Sequence, residues 1–488
     1  MRYSVALTTD VQQQACGHLI RRDRQEDLCF GLWYPSRGRS RFTALLSGLI
    51  VPERGERSVH GNAVFTPEYF DRAMGLAREH GAGLAFLHSH LGPGWQGMSS
   101  DDIVAEESHA ASTYGATGLP LVGMTVGTDR AWSARMWERT GRRQYARRWC
   151  ESVRVAGEYL SVTYDTDLAP VPHIGSELDR TVSAWGEAKQ ADIGRLKVGV
   201  IGAGSVGCIV AESLARMGFG SVLLLDFDDV ERVNMDRLLH ATRWDIGKAK
   251  VNVLARALRK SATASGFSVE PMEYSVAEEA GYRAALDCDI LFSCVDRPLA
   301  RHVLNFIAYA HLIPVVDGGI AIRTRTDGTM RHCDMRSHIA APSRRCLECL
   351  EQYNAGLVSA ERDGFLDDPK YIEGLPEDSD IRRRENVFGF SAMTASLELM
   401  HMLAMVIVPC DIGNHGSQIY HFKTGDLDRE HESACDTTCI FPSLTARGDA
   451  ANVTLTGPHR AAERARASRR GWHAKMRWMG RMIFIKAR

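Results

Sequence analysis

The chain has 488 residues, 44% of them hydrophobic, and a formal net charge of −1. That length predicts about two to four domains, and the near-zero charge gives no overall pull toward nucleic acid. No run reaches membrane-spanning length without charges, and the N-terminus MRYSVALTTDVQQQ lacks the apolar core of a signal peptide. The expectation is a soluble cytoplasmic protein with no membrane partner.

Residues 1–140 have their own organisation. LCFGLWY and RFTALLSGLIV read as strands joined by the turn PSRGRSR, and TPEYFDRAMGLAREHG reads as a helix with a Thr-Pro-Glu start and a Gly stop. GLAFLHSH is a buried strand with polar residues at its end, SSDDIVAEESHAASTYG a helix capped by Ser99 or Ser100, and LPLVGMTVG and AWSARMWE further strands. Strand alternation points His88 and His90 the same way. Asp102 follows at the start of the next helix, with Ser99 three residues before it. Two imidazoles and a carboxylate form a three-ligand set for a catalytic zinc. Glu26, just before the first strand, is positioned as a general base.

This set, His88-Ser89-His90 with Ser99, Asp102 and the upstream Glu26, resembles the JAB/MPN (JAMM) metalloproteases. The resemblance implies an α/β domain in which His88, His90 and Asp102 bind zinc, Glu26 activates the bound water and Ser99 steadies the tetrahedral intermediate. Leu91 stands where the family usually has Pro, and the gap from His90 to Ser99 is one residue longer than the commonest spacing. Ser100 or Asp101 in these roles would shift the assignment by one.

Residues 141–175 read as a linker: GRRQYARRWCESVRV as a solvated, charged helix face and APVPHIG as a Pro-rich connection. The helical SELDRTVSAWGEAKQADIGRL follows and carries Arg180. Next come the strand Val198-Gly199-Val200-Ile201, the turn Gly202-Ala203-Gly204-Ser205-Val206-Gly207, a helix closed by Gly218, and a second strand ending in Asp226. Strand, glycine turn, helix, strand, acid is the layout of a doubly wound nucleotide-binding unit. The glycines let backbone approach a phosphate at the helix N-terminus, and Asp226 is placed to accept from a ribose hydroxyl. Asp228, Asn234, Arg237, Lys248 and Lys250 come next, setting carboxylates, an amide and cations where a triphosphate and magnesium would sit. Further alternation, KVNVLARALRKS and then DCDILFSCVDRPLARHVLNFIAYAHLIPVVDGG, continues a parallel sheet and brings Asp296 to the same crevice.

The spelling LLLDFDDVERVNMDR…DIGKAKV resembles the ThiF/MoeB-like adenylyltransferases, whose eukaryotic relatives are the ubiquitin-activating enzymes. The resemblance implies a Rossmann-like domain over 176–445 that attacks ATP with a protein's C-terminal carboxylate. It implies that Arg180, often supplied by the partner of a homodimer, and Arg237 and Lys250 neutralise the triphosphate. Asn234 then positions oxygens, and Asp296, with Asp228, holds magnesium. The family's Lys is the fourth residue of G-x-x-K, which selects Lys250 over Lys248; Arg297 stands where the family usually has Asn.

Of twelve cysteines, Cys346 and Cys349 form one pair and Cys435 and Cys439 another, a closed structural zinc set that the family also carries. In thioesterifying relatives the segment after the first pair, or a domain inserted there, holds a nucleophilic Cys, and residues 350–409 contain none. Residues 446–488 read as a basic, poorly ordered tail. Together the two resemblances imply a fusion acting on one object, the C-terminal glycine tail of a ubiquitin-like protein. A JAMM isopeptidase would process or remove it, and an activating domain would adenylate it and pass it to a conjugating enzyme. Two alternatives stand beside this: adenylation of a sulfur-carrier protein that works with a sulfurtransferase, and a non-catalytic scaffold that binds a ubiquitin-like protein.

Overall fold

The computed structural model describes residues 1–471 apart from 61, 377–378, 380–381, 383–384 and 431–433. Its first part contains β1 (Arg2–Thr8), β2 (Leu28–Arg37), β3 (Arg41–Ile50), the ribbon β4 (Arg57–His60) with β5 (Asn62–Phe65), β6 (Gly83–Ser89), β7 (Leu121–Val126), β8 (Trp132–Gly141), β9 (Gln144–Trp149), β10 (Ser152–Ala156) and β11 (Leu160–Tyr164). Apart from the ribbon these make one nine-stranded sheet, in the order β11-β10-β1-β3-β2-β6-β7-β8-β9. The helix Pro67–Glu79 begins where Thr66 accepts the Tyr69 N–H and Pro67 takes the first position. The helix Ser100–Thr117 begins at a reciprocal capping box between Ser99 and Asp102.

The sheet extends past the expected boundary at residue 140. The segment expected to be a linker with a charged helix forms β9 to β11: β9 pairs antiparallel with β8, and β10 pairs parallel with β1. Its arginine pairs masked a two-residue alternation, and Arg154 lies in a fully buried strand with its partner Asp289 just before β15 of the second sheet.

The second part holds β12 (Lys197–Ile201), β13 (Ser221–Leu225), β14 (Ser268–Met272), β15 (Ile290–Ser293), β16 (Val315–Thr324), β17 (Met330–Ala340), β18 (Ser417–His421) and β19 (Asp426–Glu430), in the order β14-β13-β12-β15-β16-β17-β18-β19. The strands β12 to β16 run parallel, and β17, β18 and β19 continue the sheet in antiparallel pairs. Successive β13 side chains alternate between two cores. Val222 and Leu224 join the helices Ser205–Arg216, Lys250–Ser261 and Phe388–Ile407, whereas Leu223 and Leu225 join the helices Glu279–Ala285 and Pro298–Ala310. Burial on both faces explains the near-continuous apolar runs that made these strands readable.

Among the described residues, one helix, Phe388–Ile407, is long and apolar enough to cross a membrane. It packs with β16, β17 and the helix Ser205–Arg216, and it carries buried Glu398 and His401.

Residues 446–471 differ from the expected loose tail. Asp449 accepts from Arg37 and Arg283, and a helix over 460–471 sets Arg466 on Glu278 and Arg469 on Glu273. The basic residues that read as solvated are matched by carboxylates brought in from other elements. The rest of the tail, 472–488, lies outside the described residues.

The two sheets are joined by buried charge. Asp289 accepts from Arg41 at 2.6 Å and from Arg154 at 3.0 Å, with both arginines 2% exposed. Asp287 accepts from the backbone N–H groups of Ser40 and Arg41 and from the Ser40 hydroxyl. Removing one member of such a set leaves uncompensated buried charge, which costs about 3–5 kcal/mol. Asp289→Ala is therefore expected to lower the melting temperature of the full chain sharply, whereas Glu351→Ala on the exposed surface should leave it unchanged; a thermal-shift comparison checks this.

Candidate functional site

The glycine turn between β12 and the helix Ser205–Arg216 uses its glycines for different reasons. Gly202 has φ 97° and donates its N–H to the Leu225 carbonyl at 2.8 Å; a Cβ there would lie 2.3 Å from the Cys294 carbonyl oxygen. A Cβ on Gly207 would lie 1.9 Å from the Gly202 carbonyl oxygen, so strand and helix pack only with glycine. Gly204 faces open space and caps the helix with no side-chain hydrogen bond. The first-turn N–H groups are thus presented to an anion, favoured there by the helix dipole.

Asp226, at the end of β13, accepts from the Ala203 N–H at 2.7 Å and from the Asp228 N–H at 2.7 Å, which ties it to the glycine turn. Burial pushes its carboxyl up to about 6 against the pull of Lys250. Lys250 opens the helix Lys250–Ser261; its ammonium, 13% exposed, lies 2.8 Å from Asp228. Burial disfavours that charge, but Asp226, Asp228 and Asp296 outweigh it and hold the lysine above its ordinary range. Lys248 is tied instead to Asp245 at 3.0 Å. Asp296 follows β15 and is exposed.

Three expected nucleotide-site residues are engaged elsewhere or stand apart. Arg237 donates to the Val233 carbonyl and to Asp236. Asn234 uses its side-chain oxygen to accept from the Glu231 N–H in a short capped turn. Arg180 is exposed on the helix Asp179–Trp185 and makes no side-chain hydrogen bond or ion pair with another described residue. Conversely, the Asn386 side-chain amide donates to the Ser205 hydroxyl at 2.8 Å, closing the segment before the helix Phe388–Ile407 onto the glycine turn. That contact spans 181 residues of chain, and nothing local in the sequence marks it.

In the first sheet, β6 delivers His88, and His90 directly after it, with Ser89 turned inward, donating to the Leu19 carbonyl and accepting from the Asp27 N–H. His88 Nε2 and His90 Nε2 each lie 3.3 Å from an Asp102 oxygen and 3.2 Å from each other. Burial lowers the His88 pKa, whereas the hydrogen bond that His90 donates to Asp102 raises that of His90. Burial also raises Glu26, which is near enough to feel the charges of His90 and Asp102. Ser99 is the helix cap: its hydroxyl accepts the Asp102 N–H at 3.1 Å, and its own N–H donates to Asp102 at 2.7 Å. Three convergent donor atoms, two nitrogens and one oxygen within 4.8 Å of one another, fit a divalent cation with an open fourth position. Buried His88 Nδ1 has no hydrogen-bond partner among the described residues.

Cys346, Cys349, Cys435 and Cys439 bring four sulfurs within 4.8 Å of one another, and none is in a disulfide. Backbone N–H groups of Cys346, Cys349 and Asp436 donate to these sulfurs at 3.3–3.4 Å, a donor set that suits thiolates around a structural zinc. The other cysteines are mostly buried. Cys410 differs: it is exposed in the turn Pro409–Asp411, so one thiol does have the accessibility that the sequence did not reveal.

Residues 178–409 match the model of the ThiF family. Curated relatives include ubiquitin-like modifier-activating enzyme 5 of Drosophila willistoni, 29% identical over 136 residues, 25% of this chain and 33% of that protein. They also include tRNA threonylcarbamoyladenosine dehydratase of Escherichia coli, 39% identical over 80 residues, 16% of this chain and 30% of that protein. The chain spans about a third of the length of these relatives. Among solved structures, E. coli MccB with ATP is similar at 16% identity and a TM-score of 0.42, covering 55% of this chain and 75% of that one.

Metal analysis of the purified full chain is expected to find two zinc ions. His88→Ala and Asp102→Ala should each lose one without changing the other. Cys435→Ser should lose the second and lower the melting temperature, since a structural zinc contributes folding energy directly.

Proposed function

We propose that the chain activates the C-terminal carboxylate of a ubiquitin-like protein by ATP-dependent adenylation, and that its N-terminal domain is a zinc isopeptidase for the same modifier. The observation that carries the first half is the meeting of Asp226, Asp228 and Lys250 with a helix N-terminus that has no side-chain cap, inside the ThiF-matched segment. A carboxylate oxygen of the modifier's last residue attacks the α-phosphorus of ATP. The bond from that phosphorus to the oxygen bridging to the β-phosphate breaks, and pyrophosphate leaves. The work asked of the protein is positioning and neutralisation of charge. The helix N–H groups and Lys250 face the phosphates, and Asp226 orients the ribose. Magnesium, when bound, neutralises phosphate charge; Asp296 and Asp228 would hold it. Arg180, exposed and without an ion pair to a described residue, is available to a second copy in a homodimer.

The second half rests on the convergence of His88, His90 and Asp102 beside Glu26. A zinc there would polarise the scissile carbonyl and its attacking water. Glu26 takes the proton from that water and returns it to the leaving amine as the C–N bond breaks. The setting we propose is the cytoplasm, with the activated tail passed to a separate conjugating protein.

Pyrophosphate exchange with purified ubiquitin-like proteins tests the activation. Lys250→Ala should reduce exchange by about 100-fold or more while leaving the fold intact. Exchange indifferent to Lys250, or absent with every ubiquitin-like or sulfur-carrier protein offered, would overturn it.

A further inference from the structure

A pocket of about 110 Å3 is lined by Arg297, Leu299, Glu361 and Ala277 and by residues 454–460. A single water needs about 10–15 Å3, so a ring-sized group has room. Glu361 anchors one wall by accepting the Leu299 N–H at 2.8 Å at the start of the helix Pro298–Ala310, and Asp367 holds Arg297 at 2.9 Å.

The opposite wall comes from the C-terminal segment. The Gly457 N–H donates to the Ala277 carbonyl, and the His459 ring packs on Phe227 with centroids 4.8 Å apart. Phe227 directly follows Asp226. Further along, Arg469, 7% exposed, donates to the Phe227 carbonyl at 3.1 Å and pairs with Asp229 and Glu273. Asp229 bridges to Ala249, the residue before Lys250. Arg466 pairs with Glu278 and donates to the Glu273 carbonyl.

Strand order gives a direction for a nucleotide lying along this edge. With phosphates at the glycine turn after β12 and the ribose at Asp226 after β13, the base would extend past the end of β13, where β14 is the next strand. It heads toward Phe227 and the 273–277 segment that follows β14. That is the ground the C-terminal segment covers.

We propose that residues 454–469 are part of the nucleotide site: the 454–459 segment walls the purine base, and Arg466 and Arg469 are positioning residues that hold the loops on either side of it. This inference rests on the activation reading, since it assumes a nucleotide at the glycine turn.

Calorimetric binding of ATP and of inorganic tripolyphosphate to the full chain tests it, with His459→Ala and Arg469→Ala as variants. Tripolyphosphate has no base, so a wall for the base affects ATP alone. His459→Ala is expected to weaken ATP binding about tenfold, or about 1.4 kcal/mol, and to leave tripolyphosphate affinity and melting temperature unchanged. Arg469→Ala should weaken ATP in the same sense, and if it lowers the melting temperature His459→Ala decides. Unchanged ATP affinity in His459→Ala, or an equal loss for both ligands, would overturn this proposal alone. Wild-type protein that binds neither ligand would overturn it together with the activation reading.

Discussion

Parallel strand order is the constraint on which the nucleotide site depends. Because β12 to β16 run the same way, their carboxyl ends share one edge, and each strand contributes its next residues to one crevice. β12 gives the glycine turn, β13 gives Asp226, and β15 gives Asp296. Lys250 joins them because the backbone after β13 folds back through the Asp229–Ala249 bridge. Few of these groups are held by their own neighbours in sequence. Asp226 is fixed by the N–H of Ala203, and Lys250 by the carboxylate of Asp228. Anything that shifts one strand relative to another therefore disturbs the whole charge arrangement.

A second set of contacts ties the two sheets together. Asp287 and Asp289 gather donors from β3 and β10, and Arg344, from the second part, donates to the Gly157 and Glu158 carbonyls of the first. The buried guanidinium groups of Arg41 and Arg154 donate to Asp289 and to the Cys288 and Leu312 carbonyls of the second part. The histidine–aspartate cluster is therefore held by a domain that would expose buried charge on its own. Expression of residues 1–164 alone would remove the partners of both arginines.

How much was legible follows from distance along the chain. The glycine turn, Asp226 and Lys250 lie within fifty residues and announce themselves through local spacing. The histidines and Asp102 were readable for the same reason, and so were the two cysteine pairs. What stayed hidden depends on long-range partners. Arg154 read as part of a solvated face because Asp289 is 135 residues away. The C-terminal arginines read as a loose tail because Glu273, Glu278 and Asp229 are about 190 to 240 residues upstream. Asn234 and Arg237 have the right residue types in the right stretch, yet their side chains serve a local turn. Residue type and spacing gave them a role that hydrogen bonding in this structure assigns to the backbone nearby.

The central claim is that a protein's C-terminal carboxylate is joined to AMP at the crevice built by β12, β13 and β15. Its most direct measurement is intact-mass spectrometry of a ubiquitin-like protein incubated with the full chain and ATP, then quenched in acid. The account predicts an AMP adduct on the terminal residue that persists when reductant is added. ATP bound at the crevice with no AMP transferred to any C-terminal carboxylate would contradict it.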